Sequence, residues 1–368
     1  MDLFKILKQL SETPSPSGFE GTISQTIQDL WAPYTDEIIT DRLGSVIAVK
    51  KGNGPEPRPR ILLAAHMDEI GLMVNQIVEK HGNGFLRITN LGGIDVRQLY
   101  AQRVLVHATG PQAPDSPLPG IISAVPSSWL PDSRQSNAYE MNDFFVDTGL
   151  SYENLQQQVT IGDYVTFDQE LQSLMGSVAA GKSIDNRASV TAVTATLHEL
   201  QNRLHHWDVV AVATVQEETR LLGAYTTAFS QKPDAALAID VTFANAPGTS
   251  GGPLPLFDLG TCVPLGLGVN VHPGILNALQ EAAKELELKT ELDLHGRASG
   301  TDAYGIQVAR AGVPTGLVGL PIRYMHTVVE TIDTRDIGRA GRLMAQFITN
   351  LDETFLDKLA DSMLADTA

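Results

Sequence analysis

The stretch DVVAVATVQEE at 208–218 sets the tightest constraint on this chain. From Val209 to Val215 it is β-branched and alanine-rich, and short enough for a strand buried on both faces. Strands of that kind belong to α/β sheets with helices packed on each side. The run stops at Gln216-Glu217-Glu218, and two adjacent carboxylates at the end of a buried strand are costly unless something uses them. Open α/β sheets bind their ligands just outside the carboxyl ends of the strands. On an extended chain the two side chains point to opposite sides, so one Glu would face a metal and the other a substrate or water.

Other apolar runs end in the same way. Residues 61–65 are wholly apolar and lead into His66-Met67-Asp68-Glu69. A histidine that ligates a metal through one ring nitrogen donates its other N–H to a supporting carboxylate, the role the spacing offers Asp68. Residues 235–239 form a second buried run ending in Asp240, and 314–320 a third, followed by His326. Asp185 stands in AAGKSIDNRAS, just before a helix expected over 189–204. Each of these is at home on a solvated surface or at a helix cap when taken singly. Their common placement is what matters: two imidazoles and several carboxylates at strand ends suit one or two divalent ions such as zinc, cobalt or manganese.

Between these parts the pattern changes. Short alternating runs at 72–78, 85–89, 103–108 and 120–124, separated by glycine-rich turns, predict a small antiparallel β domain. Polar loops are expected at 111–119 and 126–142, and further strands at 144–147 and 162–167. No residue of this segment joins a catalytic cluster, which leaves it a role in assembly or access control. The flanks alternate strand and helix, as an α/β sandwich does. Residues 1–69 and 169–368 are therefore expected to form the catalytic domain, interrupted by an inserted domain over 70–168. Residues 241–248 and the Gly/Pro-rich run to 255 read as loops.

Charge and cysteine content narrow the setting. A formal net charge of −17 argues against nucleic acid or an anionic membrane surface as partner. A single cysteine, Cys262, excludes an internal disulfide and any Cys-rich metal site, and fits a reducing, cytoplasmic compartment. The amino terminus has a helical apolar rhythm without the continuous apolar core of a signal peptide, and no run approaches a membrane span.

In their order and spacing, PSPSGFE at 14–20, AAHMDEIG at 64–71, GKSIDNR at 181–187, VQEE at 215–218, IDVT at 239–242, GTDA at 300–303 and PIRYMHTVVE at 321–330 resemble the tetrahedral (TET) aminopeptidases, also called glutamyl or deblocking aminopeptidases and once grouped with endoglucanases. The resemblance covers nearly the whole chain. It implies a zinc-peptidase-type α/β/α sandwich with an inserted PDZ-like β domain that helps build dimers and a hollow tetrahedral dodecamer. It further implies two divalent ions per subunit, zinc or cobalt, bridged by Asp185. His66 and Asp240 would complete one position, and Glu218 and His326 the other. Glu217 would be the general base and Asp68 the carboxylate behind His66. The substrates implied are short peptides with a free amino terminus.

The chain departs from the family pattern at Thr219-Arg220-Leu221-Leu222, Ser189, Asn245 and Cys262, leaving every implied ligand in place. Two other functions are open to the same residues. One is an endo-acting glycoside hydrolase using Glu217 or Glu218, which needs two carboxyls flanking a sugar and no metal pair. The other is a non-catalytic peptide-binding assembly protein, which has no need of Glu217. Arg220 and Arg323 are candidates for recognising acidic substrate side chains, though structural ion pairing accounts for them better.

Overall fold

The computed structural model describes residues 1–131, 139–247, 249 and 256–365. The loop expectations at 126–142 and 241–255 therefore fall partly outside the described residues. Eleven described strands form one sheet, whose centre is parallel. Asp208–Thr214 lies beside Arg60–His66, then come Ala235–Phe243 and Thr315–Arg323, all four running the same way. Every residue of Asp208–Thr214 is buried, as its unbroken apolar pattern predicts. Burying each valine stabilises the sheet by about 1.5–3 kcal/mol before entropy is counted. Antiparallel hairpin strands Glu37–Thr40 and Val46–Lys50 close one side. Glu330–Asp333 and Val178–Gly181 extend the other.

The helix Ile184–Glu199 is buried along almost its whole length and carries small residues where it meets the helix Thr334–Thr349. Gly341 permits that approach, because a Cβ there would lie 2.7 Å from the Cβ of Ala195. The amphipathic helices Leu3–Ser11 and Gly21–Trp31 pack their apolar stripes on the same core.

The inserted segment folds as predicted into antiparallel strands, and these close on themselves. Gly71–Lys80, Asn83–Leu91, Phe144–Asp147, Leu118–Ala124, Arg103–Val106 and Tyr164–Phe167 form a six-stranded barrel with its own core. Closure removes exposed strand edges, and short alternating strands are what it requires. The stretch YENLQQQ forms a helix, Tyr152–Gln158, capped by the Ser151 side chain, which accepts from the Asn154 N–H.

Several expected boundaries move. Asp185 does stand just before regular helix, since it and its cis-linked neighbour Asn186 have non-helical backbones within Ile184–Glu199, but the helix begins and ends earlier than the expected 189–204. The strand expected to end at Asp240 runs on to Phe243, because Thr315–Arg323 pairs with it that far. Strands Val263–Gly268 and Glu330–Asp333 and the helix Phe355–Ala365 are further elements that the sequence reading did not mark.

Candidate metal centre

The parallel strands end on one side of the sheet, and the predicted site residues meet there. His66 is the last residue of its strand and is 2% exposed. Its Nε2 lies 3.2 Å from Asp185 Oδ1 and 3.8 Å from both Asp240 Oδ1 and Glu217 Oε2. On the other side of Asp185, Oδ2 lies 3.4 Å from His326 Nε2, which is 3.8 Å from Glu218 Oε2. Two groups of donor atoms result, His66-Asp185-Asp240 and Asp185-Glu218-His326, each within 4.8 Å of one another and sharing Asp185.

Glu217 and Glu218 correct one expectation. The strand ends at Thr214, and the pair opens a short helical turn, Glu217–Arg220, after Gln216 takes a left-handed conformation. Their side chains diverge because consecutive helical residues are about 100° apart, not because they alternate across a strand. Asp68 holds that turn: its Oδ1 accepts the Glu217 N–H at 3.0 Å and its Oδ2 the Glu218 N–H at 3.2 Å. The Ser17 hydroxyl also donates to Oδ2. Oδ1 of Asp68 is 3.4 Å from His66 Nδ1, which also approaches the Asp68 carbonyl at 3.2 Å. One carboxylate thus orients an imidazole and two glutamate backbones.

Other residues here lacked a sequence signal strong enough to single them out. Glu330, 2% exposed, accepts the Asp185 N–H at 2.8 Å and the His326 N–H at 3.1 Å. It stands four residues after His326 in PIRYMHTVVE, so the motif contained it, but its backbone targets depend on folding. Asp302, in GTDA, is buried and accepts from the Thr214 hydroxyl at 2.5 Å; burial pushes its carboxyl up to about 6. Gly92 and Gly93, in the segment expected to serve assembly or access control, come close to the site. A Cβ on Gly93 would lie 3.0 Å from His326 Nδ1, and one on Gly92 would lie 3.1 Å from Glu218 Oε2.

Electrostatics test whether cations fit. Glu217, Glu218, Asp185 and Asp240 crowd two imidazoles, and among the described residues no lysine or arginine lines the cavity they share. Burial and the charge of Asp185 push the Glu218 carboxyl up to about 8. Burial, with nearby carboxylates adding to it, pushes Glu217 and Asp240 well above the ordinary carboxylate range. Burial also opposes the Asp185 charge, but hydrogen bonds with His326 and His66 outweigh it and hold that carboxyl low. The hydrogen bond to Asp185 pushes His326 up to about 9. Such a cluster wants positive charge, and bound cations are the largest charges a site can hold. Ligands about 2.0–2.2 Å from a tetrahedral ion stand roughly 3.3–3.6 Å apart; the His326–Asp185 separation of 3.4 Å falls in that range and the His66–Asp185 separation of 3.2 Å lies just below it.

A sheet with a parallel centre and N and O donors of this kind gathered beyond its strand ends defines an α/β protein with a candidate divalent-metal centre. The comparisons make the class specific. The sequence profile of the M42 glutamyl aminopeptidase family matches residues 44–343, and the chain belongs to that family. It is thereby a metal-dependent aminopeptidase, a hydrolase acting on peptide bonds. It is 31% identical to a lysyl aminopeptidase of Pyrococcus furiosus, over 95% of this chain and 97% of the relative. The fold matches the TET aminopeptidase of Thaumarchaeota archaeon SCGC AB-539-E09 with a TM-score of 0.89 at 30% identity, over 98% of this chain and all of that one. It also matches the TET1 peptidase of Pyrococcus horikoshii, which can assemble into a tetrahedron or a large octahedral shell, with a TM-score of 0.79 at 27% identity over 95% of this chain and all of that one. Among the described residues no helix is long and apolar enough to cross a membrane.

Proposed function

We propose that this chain removes N-terminal residues from short unblocked peptides, using two divalent cations, zinc or cobalt, and a glutamate general base. The observation that carries the reading is the position of Asp185. Its two carboxylate oxygens face different imidazoles, Oδ1 toward His66 and Oδ2 toward His326, each with a further carboxylate nearby. One cation would be held by His66, Asp185 and Asp240, the other by Asp185, Glu218 and His326. When bound, two such cations lower the pKa of an attacking water and polarise the scissile carbonyl.

The chain's own residues supply the rest. Glu217 is the carboxylate left over from the two donor groups, and its Oε2 is 3.8 Å from His66 Nε2, at the edge of the cluster. It takes a proton from the attacking water and returns it to the leaving amine. Asp68 keeps Glu217, Glu218 and His66 in register through the contacts described above. A cavity of about 510 Å³ opens over these groups, a size typical of small-molecule sites. Its carboxylate-rich floor accepts a free α-amino group, which a blocked peptide lacks. Four carboxylates converging on two imidazoles do not match the flanking pair, about 5–9.5 Å apart, of a glycoside hydrolase.

Residues 70–168 are proposed as an inserted domain whose barrel mediates self-association into dimers and, through them, a dodecamer. Trp129, Ile161 and Ile121 stand out from this segment at 78%, 63% and 52% exposure, large apolar side chains that assembly would cover.

The deciding experiment is hydrolysis of unblocked and N-acetylated peptides before and after exhaustive chelation. Activity on the unblocked peptides alone, lost with the metal and restored by zinc or cobalt, is expected. Full activity in protein shown by elemental analysis to be metal-free would overturn the reading.

A further inference from the structure

The loop PSPSGFE at 14–20 supplies no donor atom to the metal centre, yet it is tied to it at several points. The Ser15 N–H donates to Glu69 Oε1 at 2.8 Å, and the Glu69 N–H donates to the Ser15 carbonyl at 3.2 Å. The Phe19 ring packs on Tyr164 of the barrel, with centroids 4.6 Å apart. Glu20, the last residue of the loop, is 6% exposed. Its Oε1 accepts two backbone N–H groups, that of Gly18 at 2.9 Å and that of Gln216 at 3.1 Å. The first bond is local and closes the loop. The second spans 196 residues of sequence and reaches the turn that carries Glu217 and Glu218.

Gln216 is where the chain leaves its strand for that turn, and its φ of 56° is uncommon for a residue with a side chain. The first N–H groups of a helical turn have no partner within it. Here the N–H groups of Gln216, Glu217 and Glu218 are taken in succession, the first by Glu20 and the next two by Asp68. The two carboxylates are parts of one arrangement, because the Ser17 hydroxyl of the same loop donates to Asp68. Asp68 fixes the two glutamates, and Glu20 fixes the residue that aims them.

We propose that Glu20 is a positioning residue for the reaction: by holding the Gln216 N–H it sets the left-handed backbone there, and with it the directions of Glu217 and Glu218. This rests on the roles given above to those two glutamates. The turn needs from Glu20 an acceptor oxygen at that reach, and not a charge. A charge role is the alternative. The buried Arg187 guanidinium donates to the Ser15 hydroxyl at 2.7 Å and feels the charges of Glu69, Asp68 and Glu20, a balance that a shorter carboxylate would also serve.

Three substitutions separate reach from charge. Glu20→Gln keeps the reach and an acceptor, Glu20→Asp keeps the charge but withdraws it by one methylene, and Glu20→Ala keeps neither. With metal-saturated protein and an unblocked peptide, kcat should fall by roughly 10- to 10²-fold in Glu20→Asp and Glu20→Ala, the scale of a small misplacement of catalytic groups. KM should stay near the wild-type value, and Glu20→Gln should remain close to wild type in both. Glu20→Asp as fast as Glu20→Gln, or Glu20→Gln as slow as Glu20→Asp, overturns the proposal; these two variants carry the comparison if Glu20→Ala does not fold. Competition with a chromophoric chelator reads the same turn without turnover. One of the two ions should bind about 10- to 100-fold more weakly in Glu20→Asp and with wild-type affinity in Glu20→Gln, and equal affinity in the two variants overturns the proposal. If the wild-type protein cleaves no peptide, the aminopeptidase reading fails, and the order of the metal affinities alone supports or overturns the role of Glu20.

Discussion

The Oε2 atom of Glu330 lies 2.8 Å from the backbone nitrogen of Asp185, and its Oε1 lies 3.1 Å from that of His326. A single buried carboxylate thus ties together the two chain segments that carry the shared donor and one of its imidazoles. His326 itself has a left-handed backbone, φ 63°, an uncommon conformation for a residue with a side chain. The Glu330 contact to its N–H helps hold it there.

Glu330→Gln keeps one acceptor but turns an amide N–H₂ toward the second backbone N–H. Metal affinity should fall by about 10- to 100-fold, as for other groups that orient ligands. Competition with a chromophoric chelator measures this directly. Affinity equal to wild type would show that Asp185 and His326 hold their positions without it.

Glu217 and Glu218 should fail differently. Glu217→Gln should keep near-normal metal content while losing rate by roughly 10²–10⁴-fold, the usual size of a general acid–base contribution. Glu218→Gln removes an anionic donor and should lower the occupancy of one position first, with activity partly restored by excess metal. Metal content measured beside turnover separates them. Loss of metal from Glu217→Gln alone would reverse the assignment.

Gly92 has φ +79°, a backbone region that alanine adopts only with strain, and its Cβ would meet Glu218. Gly92→Ala should therefore lower both stability, by about 1–2 kcal/mol, and metal occupancy. A matched control is Gly82→Ala, which has φ +80° but nothing within 4 Å of its Cβ. It should cost similar stability and leave occupancy unchanged. Urea melts and elemental analysis of both variants make the comparison.

His107 predicts an acid-sensitive step away from the metal centre. Its ring stacks on Tyr164 with centroids 4.1 Å apart, and burial pushes its pKa down from 6.5 to about 4. The unfolded chain therefore binds the extra proton first, and stability is lost as pH falls from 6.5 toward 4. The gap is worth about 3 kcal/mol at most, and the ring's partial solvent access reduces this to about 1–2 kcal/mol. In His107→Phe, which cannot titrate, the loss between pH 7 and pH 4.5 in denaturant melts should shrink by that amount. An identical pH slope in the two proteins would exclude His107 as its source.

Trp129→Asp places a charge on the proposed assembly surface. Light scattering should show a smaller particle than wild type, with the metal centre still loaded. An unchanged mass would remove that surface from the assembly.

Much of this protein follows from local pattern alone. Uninterrupted apolar runs at 61–65 and 235–239, with the β-branched, alanine-rich run at 209–215, are best satisfied inside a doubly covered sheet, and the polar residues that end two of them have to lie at its carboxyl edge. Alternation over 72–78 and 85–89 marks the insertion as antiparallel, because a period of two is a local property. Tertiary structure decided what depends on atoms distant in sequence. It placed Glu217 and Glu218 on a helical turn, through backbone contacts to Asp68 about 150 residues away. It carried Gly92 and Gly93 of the insertion to the metal centre and set Glu330 behind Asp185. Hydrogen bonds and close approaches of this kind carry no sequence period, since each needs two segments whose meeting only the folded chain determines.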